Sequence, residues 1–220
     1  MKRIQIILSC ITTVSILYGC NKKVEAVAPT VSNEALTTIS LIVTNTQTPF
    51  DTDTATWQQL LDKNGNPLPT DVSKANLVLK ANTTYHTELL ILDKTQTPYF
   101  NVSDEIKARA NYHLFFYQPL PGTQTFVIPT SPADQLPLPI PSQASTTGPV
   151  TSDPLNLTVT ITDHDSNPQQ YPLGLQTDFA TGAASNGWLR VLLRHQPNVK
   201  NGTFTPGSTD LDVGYTVTIQ

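Results

Sequence analysis

Apolar and polar residues alternate along most of this chain, and the alternation has the period of a β-strand. The clearest run is 187–200, GWLRVLLRHQPNVK. Leu189, Val191 and Leu193 point one way, Arg190 and Arg194 the other, and His195 falls in register with the apolar set at the strand's end. A turn cluster, 181–186, precedes it. Near the C-terminus Leu211, Val213, Tyr215, Val217 and Ile219 alternate against Asp212, Gly214, Thr216 and Thr218, so the chain ends inside a strand. Leu155, Leu157, Val159 and Ile161 alternate in the same way. Further strands are predicted over 36–44, 54–61, 75–80, 83–92, 113–118 and 124–128, with a short one over 173–177. Asn64-Gly65 supplies the positive φ values of a tight turn. One helix is predicted over 102–111: Asn101 or Ser103 can cap it, and Asp104 and Glu105 suit its positive end. Strands at this spacing predict an all-β fold. The specific expectation is an antiparallel immunoglobulin-like β-sandwich of about eight to nine strands with one short helix.

The first residues break this pattern. Met1-Lys2-Arg3 is basic, and 4–17 is mostly apolar but shorter than the ~20 residues of a membrane-spanning helix. This is the layout of a secretory signal peptide. It ends in Leu17-Tyr18-Gly19-Cys20, which resembles the bacterial lipobox. The resemblance implies cleavage before Cys20 and acylation of that cysteine, as by palmitate. The domain expectations are a signal peptide over 1–19, a lipidated tether over 20–32, and one β-sandwich domain over 33–220. Within that domain, 119–154 carries half of the 18 prolines and reads as an extended insert.

Composition narrows the function. The only cysteines are Cys10 and Cys20, so the mature domain has no disulfide and depends on its core. Formal charge is −4 without a basic cluster, which argues against a nucleic-acid partner. The nucleophile-elbow, zincin and phosphate-loop motifs are absent, and the expectation is a protein that is not an enzyme.

Five candidate sites remain. None of the four histidines is spaced for a metal in sequence, but His113 and His195 each sit at a strand boundary and can meet in the fold. Neutral imidazoles suit zinc or copper, with Glu88 or Asp163 as third ligand. Asp163, Asp165 and Asn167 place oxygens at positions 1, 3 and 5 of a calcium loop, although position 6 is Pro168 and position 12 is Gly174. Asp62, Asn64 and Asn66 form a weaker triplet. Trp57, Tyr85, Tyr99, Tyr171 and Trp188 are candidates for a sugar platform or for core. Arg190 and Arg194 need solvent or a carboxylate such as Asp210 or Asp212, which marks that strand face as an ion-pair network or a binding surface.

Several segments together resemble a family of small outer-membrane lipoproteins of the Bacteroidota. They are the lipobox, 33–38 (NEALTT), 112–117 (YHLFFY), 192–197 (LLRHQP) and 202–213 (GTFTPGSTDLDV). Members are often labelled with the two-lobed type 1 periplasmic-binding fold, whereas the pattern here predicts strands. The resemblance implies an outer-membrane location through the lipid, and brings no catalytic residues. Residues 21–23, Asn-Lys-Lys, lack the acidic run that directs such proteins to the cell surface, so both the periplasmic face and the surface stay open. Asp53-Thr54-Ala55 resembles a Bacteroidota O-glycosylation signal. Two functions are expected: a ligand- or metal-binding accessory to a TonB-dependent-type uptake receptor, or a structural or adhesive immunoglobulin-like module.

Overall fold

A computed structural model of the chain describes residues 35–123, 145–148 and 151–220. The expected signal peptide, Cys20, the expected tether, the strand expected over 124–128 and most of the expected proline-rich insert lie outside the described residues.

The described residues form two packed sheets. The larger contains β1 (Thr38–Asn45), β2 (Thr52–Gln58), β3 (Asp71–Lys74), β5 (Thr84–Asp93), β8 (Ser145–Thr147), β9 (Leu157–Ile161) and β10 (Gln176–Thr181), with the two-residue β6 (Phe100–Asn101) on β5. Its order is β3-β2-β1-β5-β10-β9-β8. The smaller contains β4 (Asn76–Leu79), β7 (His113–Pro121), β11 (Ser185–His195) and β12 (Ser208–Ile219), in the order β4-β12-β11-β7. Every pairing is antiparallel except β4 with β12. This is the all-β sandwich that the alternation predicts. Strands not expected from the sequence are β3, β6 and β8, which are too short to show a period, while β4 is the strand expected over 75–80.

The inward residues follow the alternation closely. Ile39, Leu41 and Val43 on β1 meet Leu189, Val191 and Leu193 on β11 and Val213, Tyr215 and Val217 on β12 in one core cluster. Tyr215 is fully buried and donates its hydroxyl to the Ile39 carbonyl at 3.0 Å, a direct bond between the sheets. Tyr117 donates likewise to the Gly174 carbonyl at 2.6 Å.

The helix is α1 (Val102–Ala108), and the Asn101 side chain caps it by accepting from the Ser103 amide. Ser103 is the other predicted cap, and it has a different task. Its hydroxyl accepts from the Ile91 amide and donates to the Leu89 carbonyl, satisfying the β5 edge beyond the end of β10. Helix and sheet are thus joined through one buried hydroxyl.

The expected insert begins later than predicted. Pro119 and Pro121 belong to β7, an edge strand among the described residues, where a missing ladder donor is tolerated. β8 then lies inside the expected insert, paired to β9.

The two ends of the sandwich differ. β1 starts, β5 ends, α1 sits, β7 starts and β11 ends at one end, because Thr38 pairs with Leu92 and His113 with His195. The 93–112, 162–175 and 196–207 connections gather there. At the other end, turns at 46–51 and 80–83 connect strands among the described residues.

Gly187, where β11 crosses β7, has no room for a side chain. A Cβ there would lie 2.2 Å from the Leu120 carbonyl oxygen and 2.8 Å from the Leu155 Cβ. Gly187→Ala is expected to cost ~1–3 kcal/mol by overpacking, read as a lower urea midpoint; an unchanged midpoint would contradict this close approach.

Candidate functional site

β11 carries the site, because both of its faces are buried. Its outward face bears Arg190, Leu192 and Arg194, and both arginines are nearly inaccessible, at 4% and 5% exposure. Of the two readings of this face, solvent or carboxylate, the structure buries both arginines and gives Arg190 a carboxylate. Leu192, between the arginines, packs with Leu114, Phe116 and Phe204 in a second apolar cluster. Phe204 belongs to the β11–β12 connection, which folds back over the sheet and meets Phe116 edge-on at 5.3 Å between ring centres.

Each arginine has a partner suited to burial. Arg190 grips Asp212 on β12 with two bonds, Nε to Oδ1 at 2.8 Å and Nη2 to Oδ2 at 2.5 Å. This bidentate arrangement matches the planar fork of the guanidinium to the carboxylate, and Asp212 is one of the two carboxylates anticipated for it. Arg194 instead donates to the Thr209 hydroxyl at 2.6 Å and to the Gly207 and Pro206 carbonyls at 2.6 and 3.1 Å. Its guanidinium lies 4.4 Å from the centre of the Phe204 ring, a cation–π contact.

His113 and His195 do meet, directly opposite each other on β7 and β11. Their rings stack at 5.1 Å between centres and 16° between planes. His113 is fully buried, and its Nδ1 lies 3.0 Å from the Arg109 carbonyl. Its Nε2 has no hydrogen-bond partner among the described residues, and neither do Asp210 Oδ2, Arg194 Nε and Gln196 Oε1. Asp210 Oδ2 stands 4.0 Å from His195 Nδ1. Burial pulls His113 down to about 4, helped by the charges of Lys200 and Arg109 and opposed by the Arg109 carbonyl. Burial pushes the Asp210 carboxyl up, against the pull of His195 and Arg194.

The third metal ligand is missing. Glu88 is exposed on the larger sheet, and both oxygens of Asp163 are taken by the Gly174 and Leu175 amides at 2.7 and 3.1 Å. Among the described residues no group of three or more His, Cys, Asp or Glu is placed to hold a metal ion. The zinc or copper expectation is thus met only as far as the two histidines.

The calcium expectation is corrected as well. Asp165 accepts from the Asn167 amide and side chain at 3.0 and 2.8 Å, and from Lys200 Nζ at 2.9 Å. A lysine ammonium neutralises the carboxylate that was expected to meet calcium. Both side chains are inaccessible, at 1% for Lys200 and 0% for Asp165. Lys200 also donates to the Ala110 carbonyl at 2.9 Å, and burial pulls its ammonium down. Asp62 is used locally, accepting from the Asn64 and Asn66 amides and the Asn66 side chain. Lys200 carried no legible signal, since one lysine in a polar stretch reads as solvated.

The aromatic candidates separate. Tyr85 is core, with its hydroxyl accepting from the Lys80 amide, and Trp57 packs against the core half-buried. Tyr99 is 61% exposed, and Lys94 Nζ lies 5.7 Å from the centre of its ring. Lys94 and Thr95 also line a cleft of ~490 Å³ with Thr38, Gln58, Gln59 and Leu60. This cleft opens at the loop-bearing end. Thr54 is exposed on β2, while Asp53 accepts from the Val78 amide.

His113 makes stability depend on pH. An unfolded histidine takes up a proton near pH 6.5, which the folded one refuses until about pH 4. The unfolded state therefore binds more protons between these values, and stability is lost as pH falls through this window, by ~3 kcal/mol in full. Asp210, shifted the opposite way, offsets part of the loss at the acid end. Urea unfolding from pH 7 to 4 should show the decline, and His113→Gln should flatten it; an equal slope in the variant would remove His113 as its cause. Asp212→Ala is expected to cost ~3–5 kcal/mol by leaving Arg190 buried and unpaired, read in the same unfolding experiment.

No protein-family model, curated protein or solved structure matches the chain.

Proposed function

We propose that this protein is a lipid-anchored component of the bacterial outer membrane, and that its sandwich is a ligand-binding accessory to an uptake receptor of the TonB-dependent type. The signal-peptide layout and Leu17-Tyr18-Gly19-Cys20 support the anchor. The observation that carries the binding role is the cleft at the loop-bearing end. Its ~490 Å³ is within the usual range for small-molecule sites.

Its lining favours a neutral polar ligand over a metal. Gln58, Gln59, Thr38, Thr95 and Lys94 offer donors and acceptors, and Leu60 adds an apolar wall. Gln59 spends its amide donors on the Leu60 and Leu68 carbonyls. Tyr99, next to Lys94, exposes a ring of the kind that stacks on a sugar face. A saccharide is the ligand class that uses amides, hydroxyls and one aromatic ring together. No catalytic residue enters this reading. The immunoglobulin-like structural or adhesive module is the second reading, and the two-sheet sandwich itself supports it.

Titration of the purified protein with neutral oligosaccharides, followed by amide NMR, should shift resonances of Gln58, Gln59, Lys94 and Tyr99. Gln58→Ala with Tyr99→Ala should weaken binding at least tenfold while the fold is kept. Shifts confined to other regions, or none across a saccharide panel, would favour the adhesive reading. Cys20→Ser is expected to abolish palmitate labelling and release the protein from the membrane fraction; retained label would contradict the anchor.

A further inference from the structure

Lys200 and Asp165 are held in an unusual state for an ion pair. The ammonium nitrogen stands 2.9 Å from a carboxylate oxygen, with almost no solvent access to either side chain. Surface ion pairs exchange with water, whereas this one is sealed. Desolvating two charges costs several kcal/mol per ion. Burial pulls the Lys200 ammonium down, toward the free amine that a nucleophile needs.

Both partners are rigidly presented. The Asp165 amide donates to the Tyr171 carbonyl, the Gln170 amide to the Asn167 carbonyl, and the Ser166 amide and hydroxyl to the Asn111 side chain. Lys200 is aimed by its bond to the Ala110 carbonyl. Its loop packs on the same neighbour: a Cβ on Gly202 would fall 3.1 Å from the Tyr171 ring, and only a residue with φ near +79° closes this turn. The nitrogen therefore stands in hydrogen-bond contact with an oxygen bonded to Asp165 Cγ, and both reactants are held in place. Fixed neighbours of this kind reach effective concentrations of about 10⁵–10⁸ M.

We propose that Lys200 Nζ and Asp165 Cγ condense into an intramolecular amide, a self-formed covalent staple between the two sheets. The ammonium first passes a proton to Oδ2, giving a free amine and a carboxylic acid. The amine's electron pair attacks Cγ. Negative charge then develops on Oδ1, where the Asn167 backbone amide donates at 3.0 Å. Oδ2 leaves with its proton and a second proton from the nitrogen, as water. One C–N bond forms, one C–O bond breaks, and no oxidant or further reactant is consumed. The product is a neutral amide, which needs no desolvation of ions.

The link joins the β9–β10 connection of the larger sheet to the β11–β12 connection of the smaller one. It would give this domain what a disulfide gives others, since its sequence beyond Cys20 contains no cysteine.

Peptide mass analysis of the purified full-length protein after unfolding and trypsin digestion tests it. Residues 110–190 contain no internal trypsin site and include Asp165. The expected product joins 110–190 to 195–220, uncut after residue 200, with a mass one water below the sum of the two. Lys200→Arg keeps the charge, removes the nucleophile, and is expected to abolish the joined species. Wild-type digests that yield only free 195–200 and 201–220 would overturn the proposal, and so would a joined species that survives in Lys200→Arg. The wild-type result decides the question even if the variant fails to fold.

Discussion

Burial of β11 on both faces is the constraint from which the rest of this structure follows. A central strand of a sandwich normally buries one face and wets the other. Here the outer face carries Arg190, Leu192 and Arg194, and all three are covered. Arginine keeps its charge, so burial forces each guanidinium to find fixed acceptors. Arg190 takes Asp212 from the next strand. Arg194 has no carboxylate directly opposite, so the 205–207 carbonyls come to it, and the connection folds over the sheet with Phe204 as its apolar seal. The same fold-back delivers Lys200 to Asp165. The ionic and apolar layers are thus one construction, in which the charge of Arg194 positions the loop and Leu192 gives it a surface to close on.

This accounts for the contrast between the two ends. The loop-bearing end gathers the stacked histidines, the buried ion pair, the helix and one cleft of ~490 Å³, and a second cleft of that volume lies at the other end. Buried polar groups are costly unless satisfied and specify one arrangement when they are. His113 Nε2, Asp210 Oδ2, Arg194 Nε and Gln196 Oε1 lack hydrogen-bond partners among the described residues, and they lie on β7, β12, β11 and the residue that follows β11. The low affinity of His113 for a proton is a consequence of the same sealing. Stability and acid sensitivity therefore come from one place.

Much of the architecture was legible because alternation is a local signal. The inward sets on β1, β9, β11 and β12 are the ones a period of two picks out, and Asn101 caps the helix as its residue type suggests. The meeting of His113 and His195 was also legible, since both mark strand boundaries. Other features were not. Whether the two arginines face solvent or lie buried was not legible, because covering depends on a connection of twelve residues whose path no local pattern encodes. Asp163, Asp165 and Asn167 read as calcium ligands because carboxylate spacing shows acceptors but not the donors that will occupy them. Those donors are the Gly174 and Leu175 amides and Lys200, brought from elsewhere in the chain.

By itself the sequence determined the strand periodicity, the faces that enter the core, the capped helix, and the need for a core without disulfides. These follow from residue type and spacing over a few positions, where the geometry of a strand or helix turn leaves little choice. Only the tertiary structure decided which charges are buried and what meets them. Pairing of Arg190 with Asp212, of Lys200 with Asp165, and the closure of Phe204 over Arg194 depend on strand register and loop path between distant segments. Burial of a charge is a property of its whole surroundings, and those exist only after the chain has folded.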